Sequence, residues 1–88
     1  MEGLTEGRMV HFVLDEGPSR GQHRPAVVVK VWRVTQEGNL QSSPENGSCN
    51  LQVLTDDRND SLPPLMWRTS VLYDEAGGEG TWHWIERA

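Results

Sequence analysis

The chain has little cysteine and fewer basic than acidic residues. Its 88 residues include one cysteine, so no disulfide can form within it, which is typical of a protein from a reducing compartment. Lys and Arg number 8 against 13 Asp and Glu, which gives a net charge of -5. Proteins that bind nucleic acid or anionic membranes usually present a basic patch. We therefore expect neither nucleic acid nor a membrane as a partner.

Long apolar runs and helical periodicity are also missing. No run approaches the roughly 20 apolar residues of a transmembrane helix. The acidic opening segment, residues 1–6, has no apolar stretch of the kind a secretory signal needs. No window repeats apolar residues at helical spacing, while 9 glycines and 5 prolines are spread along the chain. The pattern predicts one domain over residues 1–88, built from strands.

Five segments alternate in the way that half-buried strands do. Strands are predicted over residues 8–14, 26–34, 50–55, 65–73 and 81–85. Pro25 opens the second, and a proline at the first residue of a strand removes no central ladder bond. In that strand Val27, Val29 and Val31 share the face predicted to form the core, and Lys30 lies on the other face.

The connections decide how these strands can pack. The polar segment 36–48 is predicted to be a flexible loop after the second strand. Residues 56–61 are predicted to form a turn, because Asn and Asp tolerate the left-handed conformation and bond their own backbone. The whole connection 56–64 is too short and too rich in proline for a helix. Five strands without a helix bury an apolar face by curling into a closed sheet. We therefore predict an all-β, five-stranded SH3-like barrel; the alternative is the OB-fold, which usually places a helix between its third and fourth strands.

No motif in the sequence indicates catalysis or metal binding. His11, His23 and His83 are far apart, and with Cys49 they do not form a zinc signature, so they are expected to be hydrogen-bonded or solvated. Cys49 has no basic neighbours to activate its thiol. The acidic turn 56–60 lacks the ligand spacing of an EF-hand. We predict no catalytic residue, no metal, no cofactor and a protein that is not an enzyme.

Aromatic and cationic side chains recur near the predicted strands. A guanidinium pairs with phosphate and an indole stacks on a base, so together they suit a planar anion. We predict a ligand- or partner-binding surface formed by His11, Arg24, Trp67, Arg68, Trp82 and His83. The alternative is that tryptophans fill the core with arginines lying over them. The scarcity of other large apolar groups favours that alternative for Trp67.

The last strand carries the densest aromatic content. Alternation puts Trp82 and Trp84 on one side of it and His83 on the other. A small barrel has little room for both indoles. One face of this strand is therefore predicted to meet a ligand, a partner or a second subunit, so a homo-oligomer is one expectation.

Several of these segments together resemble a group of small phage and prophage proteins. The segments that carry the resemblance are residues 7–14, 23–29, 50–53 with Asp56, 67–71 and the Gly-Thr-Trp-His-Trp run at 80–84. The resemblance implies a phage or prophage context, hence the bacterial host cytoplasm or a virion. It favours a non-enzymatic accessory protein that binds a host protein or a small nucleotide-like anion, for instance to counter host defence. The alternative is a structural or assembly component of the virion.

Overall fold

The computed structural model describes residues 3–32 and 47–86. The strands are β1 (Met9–Val13), β2 (His23–Val31), β3 (Cys49–Leu54), β4 (Leu65–Val71) and β5 (Trp82–His83). They form one antiparallel sheet in the order β4-β3-β2-β1-β5. The predicted all-β class is confirmed. Within the described residues, no helix is long and apolar enough to cross a membrane.

The sheet curls but does not form a closed barrel. Beyond β4 the chain meets β5 through one parallel bridge between Tyr73 and Trp82. The Trp82 amide donates to the carbonyl of Leu72 over 3.0 Å, and the Asp74 amide donates to the carbonyl of Trp82 over 2.9 Å. Because β5 has only two residues, it cannot carry a full ladder on both of its edges. The closed barrel predicted from the sequence is therefore wrong.

A bulge changes which residues of β2 enter the core. The strand was predicted to bury Val27, Val29 and Val31, but the pairing with β3 shifts between Val28 and Lys30. A bulge inserts one extra residue and reverses the alternation beyond it. Val28 and Val31 are buried, whereas Val29 is 46% exposed and Val27 is half-buried. The prediction is right for Val31 and wrong for Val27 and Val29, because Ala26 and Val28 face the core before the bulge.

Other boundaries also differ from the sequence prediction. β2 begins at His23, so Pro25 is its third residue and does not open it. The turn after β3 contains one helical turn, α1 (Asp57–Asp60). Of the predicted loop 36–48, only Gly47 and Ser48 belong to the described residues, and both are buried.

The tryptophans divide differently from the prediction. Trp82 is fully buried, and its Nε1 donates to the carbonyl of Gly47 over 2.6 Å. Trp84 packs edge-on against Trp82, with ring centroids 5.0 Å apart. The guanidinium of Arg8 lies over the ring of Trp84. The core therefore accommodates both indoles, because Trp84 lies at its margin. Trp67 is 46% exposed, so its predicted place in the core is wrong.

Candidate functional site

Three neighbouring strands bring the three histidines together. In the register of the sheet, His11 of β1 faces His83 of β5, and Val13 of β1 faces His23 of β2. Facing residues of an antiparallel pair project to the same side, and so do residues two apart along a strand. The ring centroids are 4.6 Å apart for His23 and His83, 5.9 Å for His11 and His83, and 6.1 Å for His11 and His23. Residues that are scattered in the sequence thus form one imidazole cluster.

The carboxylate of Glu86 lies among these rings. Its Oε2 is 2.6 Å from Nδ1 of His11, and its Oε1 is 2.9 Å from Nδ1 of His23. Nε2 of His83 contacts the same Oε1. A hydrogen bond from its own backbone amide, and further ones from His11 and His83, lower the pKa of Glu86 to about 2. The side chain is therefore an anion at neutral pH.

His83 is the buried member of the cluster. It is 6% exposed, and its Nδ1 is buried without a hydrogen-bond partner in the part of the chain that the structure describes. A buried polar atom without a partner is costly and needs an explanation. The other ring nitrogen, Nε2, contacts the carboxylate of Glu86. Nε2 is therefore the nitrogen of His83 that can bind a partner within the cluster.

The four side chains offer the donor set of a zinc site. One ligand atom from each of His11, His23, His83 and Glu86 lies within 4.8 Å of all the others. In a tetrahedral zinc site with bonds of about 2.0–2.1 Å, ligand atoms are about 3.3 Å apart. The widest separation must therefore contract by up to about 1.5 Å. Since His83 is buried, this contraction would come from rotations of the partly exposed side chains of His11, His23 and Glu86. Three imidazole nitrogens and one carboxylate oxygen suit zinc better than magnesium or calcium, which prefer all-oxygen sites.

Arg24, a predicted site residue, has a different task. Its Nε and Nη2 donate to the two carboxylate oxygens of Asp60 over 2.8 and 2.6 Å. Asp60 is fully buried and also accepts a hydrogen bond from the backbone amide of Asp56 over 2.7 Å. The guanidinium holds the pKa of Asp60 well below its usual range. This pair fixes α1 against the first residues of β2 and leaves the guanidinium fully occupied.

The predicted binding surface therefore separates into parts. His11 and His83 belong to the imidazole cluster, while Trp82 is in the core. Trp67 and Arg68 lie on β4, at the opposite edge of the sheet from β5. Arg68 donates to Asp15 over 3.3 Å and also contacts Glu16, so its charge is already matched.

Two cluster members, His23 and Glu86, were not predicted as site residues. The only sequence signals were the three-residue spacing from His83 to Glu86 and a histidine close to each of three predicted strands. Comparison of the chain with protein-family models, with curated proteins and with solved structures finds no match.

Proposed function

In contrast to the sequence-based prediction of no metal, we propose that this chain is a metal-binding protein in which His11, His23, His83 and Glu86 hold one zinc ion. The observation that carries the proposal is the convergence of three imidazole nitrogens and one ionised carboxylate within 4.8 Å. The zinc ion would replace the histidine–glutamate hydrogen bonds with coordination bonds to the same atoms. Its charge would offset the Glu86 carboxylate and leave a net positive centre.

The number of protein ligands favours a structural ion over a catalytic one. Catalytic zinc sites keep a coordination position for water or substrate, whereas structural sites are filled by four protein ligands. Here the chain itself supplies four. This supports our expectation that the protein is not an enzyme.

The position of the ligands suggests what the ion stabilises. They come from β2, β1, β5 and the segment that follows β5, so one ion would join three adjacent strands to the C-terminal segment. A domain of this size buries a limited core and commonly needs a disulfide, a metal or oligomerisation. A pairing as short as the two residues of β5 gains most from such a crosslink.

The wider role that we propose is that of a phage-encoded accessory binding protein, with a virion component as the alternative. Two ligands were expected for such an accessory protein, a host protein or a small anion, and the host protein is the better supported of the two. The two arginines that were expected to hold an anion are paired with Asp60, Asp15 and Glu16. Mass spectrometry of purified particles separates the alternatives, since a virion component is present in stoichiometric copies.

The metal site is tested by titrating the metal-free protein with Co²⁺ and following the visible absorption of the tetrahedral complex, then displacing Co²⁺ with Zn²⁺. We expect one equivalent to bind, and zinc to raise the melting temperature. Glu86→Gln should weaken binding. The matched control is Glu79→Gln, because Glu79 pairs with Arg20 at the surface and is not one of the four proposed ligands. Absence of a tetrahedral spectrum, or equal weakening by both variants, would refute the site.

A further inference from the structure

Acidic residues are distributed very unevenly in this protein. None of the five strands contains Asp or Glu, although the chain has 13 of them. The strands instead carry Arg24, Lys30, Arg68 and the three histidines. The carboxylates of the described residues therefore lie outside the strands, and one of them, Glu86 of the segment after β5, contacts the three histidines.

The side of the sheet that faces away from the core also exposes apolar groups. We call it the outer face and define it by Met9, Val27, Lys30, Gln52, Leu65 and Trp67. The register aligns Met9, Val27, Gln52 and Trp67 in one row across four strands. Met9 is 38%, Trp67 46% and Leu65 61% exposed. Apolar surface gathered in this way on a small protein commonly marks an interaction site.

Lys30 and the imidazole cluster flank this apolar row on opposite sides. The ammonium of Lys30 lies 4.6 Å from the ring centroid of Trp32, and Lys30 is exposed. On the other side, His11 follows Met9 two residues along β1, so the imidazole cluster shares the outer face. If the proposed zinc ion is bound there, it adds a net positive charge to this end of the face. Charge complementarity of this kind selects partners of opposite sign.

We propose that the outer face docks an acidic segment of a partner protein, with an apolar side chain of that segment packed against Trp67. The contribution of the zinc ion to binding of the acidic segment rests on the proposed function. The contributions of Lys30 and Trp67 to that binding do not. Nucleic acid fits less well, because its affinity comes from several cations that each neutralise a phosphate. Arg24 and Arg68 cannot serve in this way while they are paired with carboxylates.

The test uses fluorescein-labelled poly(Glu,Tyr), a random acidic and aromatic copolymer, as the probe in an anisotropy titration with the zinc-treated protein. We expect saturable binding that weakens as salt is added, since salt screens exposed charges. Trp67→Ala and Lys30→Glu should each reduce affinity at least about fivefold. Two matched controls should stay within about twofold: Leu72→Ala, an exposed leucine beyond β4, and Arg20→Glu, an exposed cation outside the strands.

The outcomes that would overturn the docking proposal are distinct from those that refute the metal site. No copolymer binding, or equal loss in the controls and in the two test variants, would refute docking at the outer face. Tighter binding of labelled oligo-dT than of the copolymer, lost in the same two variants, would assign the face to nucleic acid and refute the acidic-segment proposal. Zinc content is measured in the same samples, so a protein that binds copolymer but no zinc refutes only the metal site.

Discussion

Asp60→Asn is a perturbation whose cost can be worked out from the structure. The wild-type carboxylate is fully buried and accepts three hydrogen bonds of 2.6 to 2.8 Å, two from Arg24 and one from the backbone amide of Asp56. Asparagine has one oxygen and no charge. It therefore leaves the guanidinium, whose side chain is only 18% exposed, without a counter-ion.

Removing one partner of a buried ion pair costs about 3–5 kcal/mol, because the other charge remains desolvated. A chain of 88 residues has a total stability of about 4–13 kcal/mol at the usual contribution per residue. Asp60→Asn is thus expected to lose roughly a quarter or more of the free energy of unfolding. The same loss should lower the melting temperature by about 12 °C or more.

Urea denaturation followed by tryptophan fluorescence measures this loss, with Glu79→Gln as the control. Glu79 pairs with Arg20 at the surface, where solvent screening leaves such a pair with little effect on stability. The control should be indistinguishable from wild type. A loss below about 1 kcal/mol for Asp60→Asn would show that the pair does not hold α1 against β2.

The same pair predicts the direction of the pH dependence. The pKa of Asp60 is lower in the folded protein than in the unfolded chain, because of its hydrogen bonds to Arg24. A lowered pKa stabilises the fold above the unfolded value of about 3.9, and this contribution is lost as the pH falls toward the folded value. Wild-type stability should therefore decline below about pH 4 more steeply than that of Asp60→Asn. Parallel curves would contradict the assignment.

Three further predictions concern residues away from the cluster. Gly17→Ala should lower the free energy of unfolding, measured in urea, by more than about 1 kcal/mol. The φ of Gly17 is +82°, and a Cβ there would lie 2.6 Å from the carbonyl oxygen of Asp60. The control Gly77→Ala, with a similar φ and open space around it, should lower it less. Trp67→Ala should change the free energy of unfolding by less than about 0.5 kcal/mol, whereas Trp82→Ala should cost about 3–5 kcal/mol. The Cys49 thiol should react with a disulfide reagent only after unfolding, since burial raises its pKa to about 12; fast reaction of the native protein would contradict this.

The sequence predicted the strands well because their signal is local. Alternation around Leu51 and Val53 placed β3 correctly, with both residues buried. In β2, alternation alone does not say which set of residues faces the core, and the structure buries Ala26 and Val28 instead of Val27 and Val29. The bulge, a tertiary feature of the pairing with β3, then returns Val31 to the core. Trp67 was misplaced for a related reason: composition says that a small core needs large apolar groups, but it cannot say which tryptophan fills it.

The imidazole cluster could not be predicted from spacing. His11 and His83 are 72 positions apart in the sequence and become neighbours only through the pairing of β1 with β5. Zinc signatures that can be read from sequence depend on ligands close together on one turn or hairpin. A site assembled by strand register leaves no such local pattern. The sequence did contain one histidine near each of three predicted strands, and a glutamate three residues beyond His83.

The most direct test of the metal site is a crystal structure of the zinc-treated protein with anomalous diffraction measured on both sides of the zinc absorption edge. We predict one strong anomalous peak, about 2.0–2.2 Å from Nδ1 of His11, Nδ1 of His23, Nε2 of His83 and a carboxylate oxygen of Glu86. A map with no peak among these four atoms, or with its main peak elsewhere on the protein, would contradict the central claim.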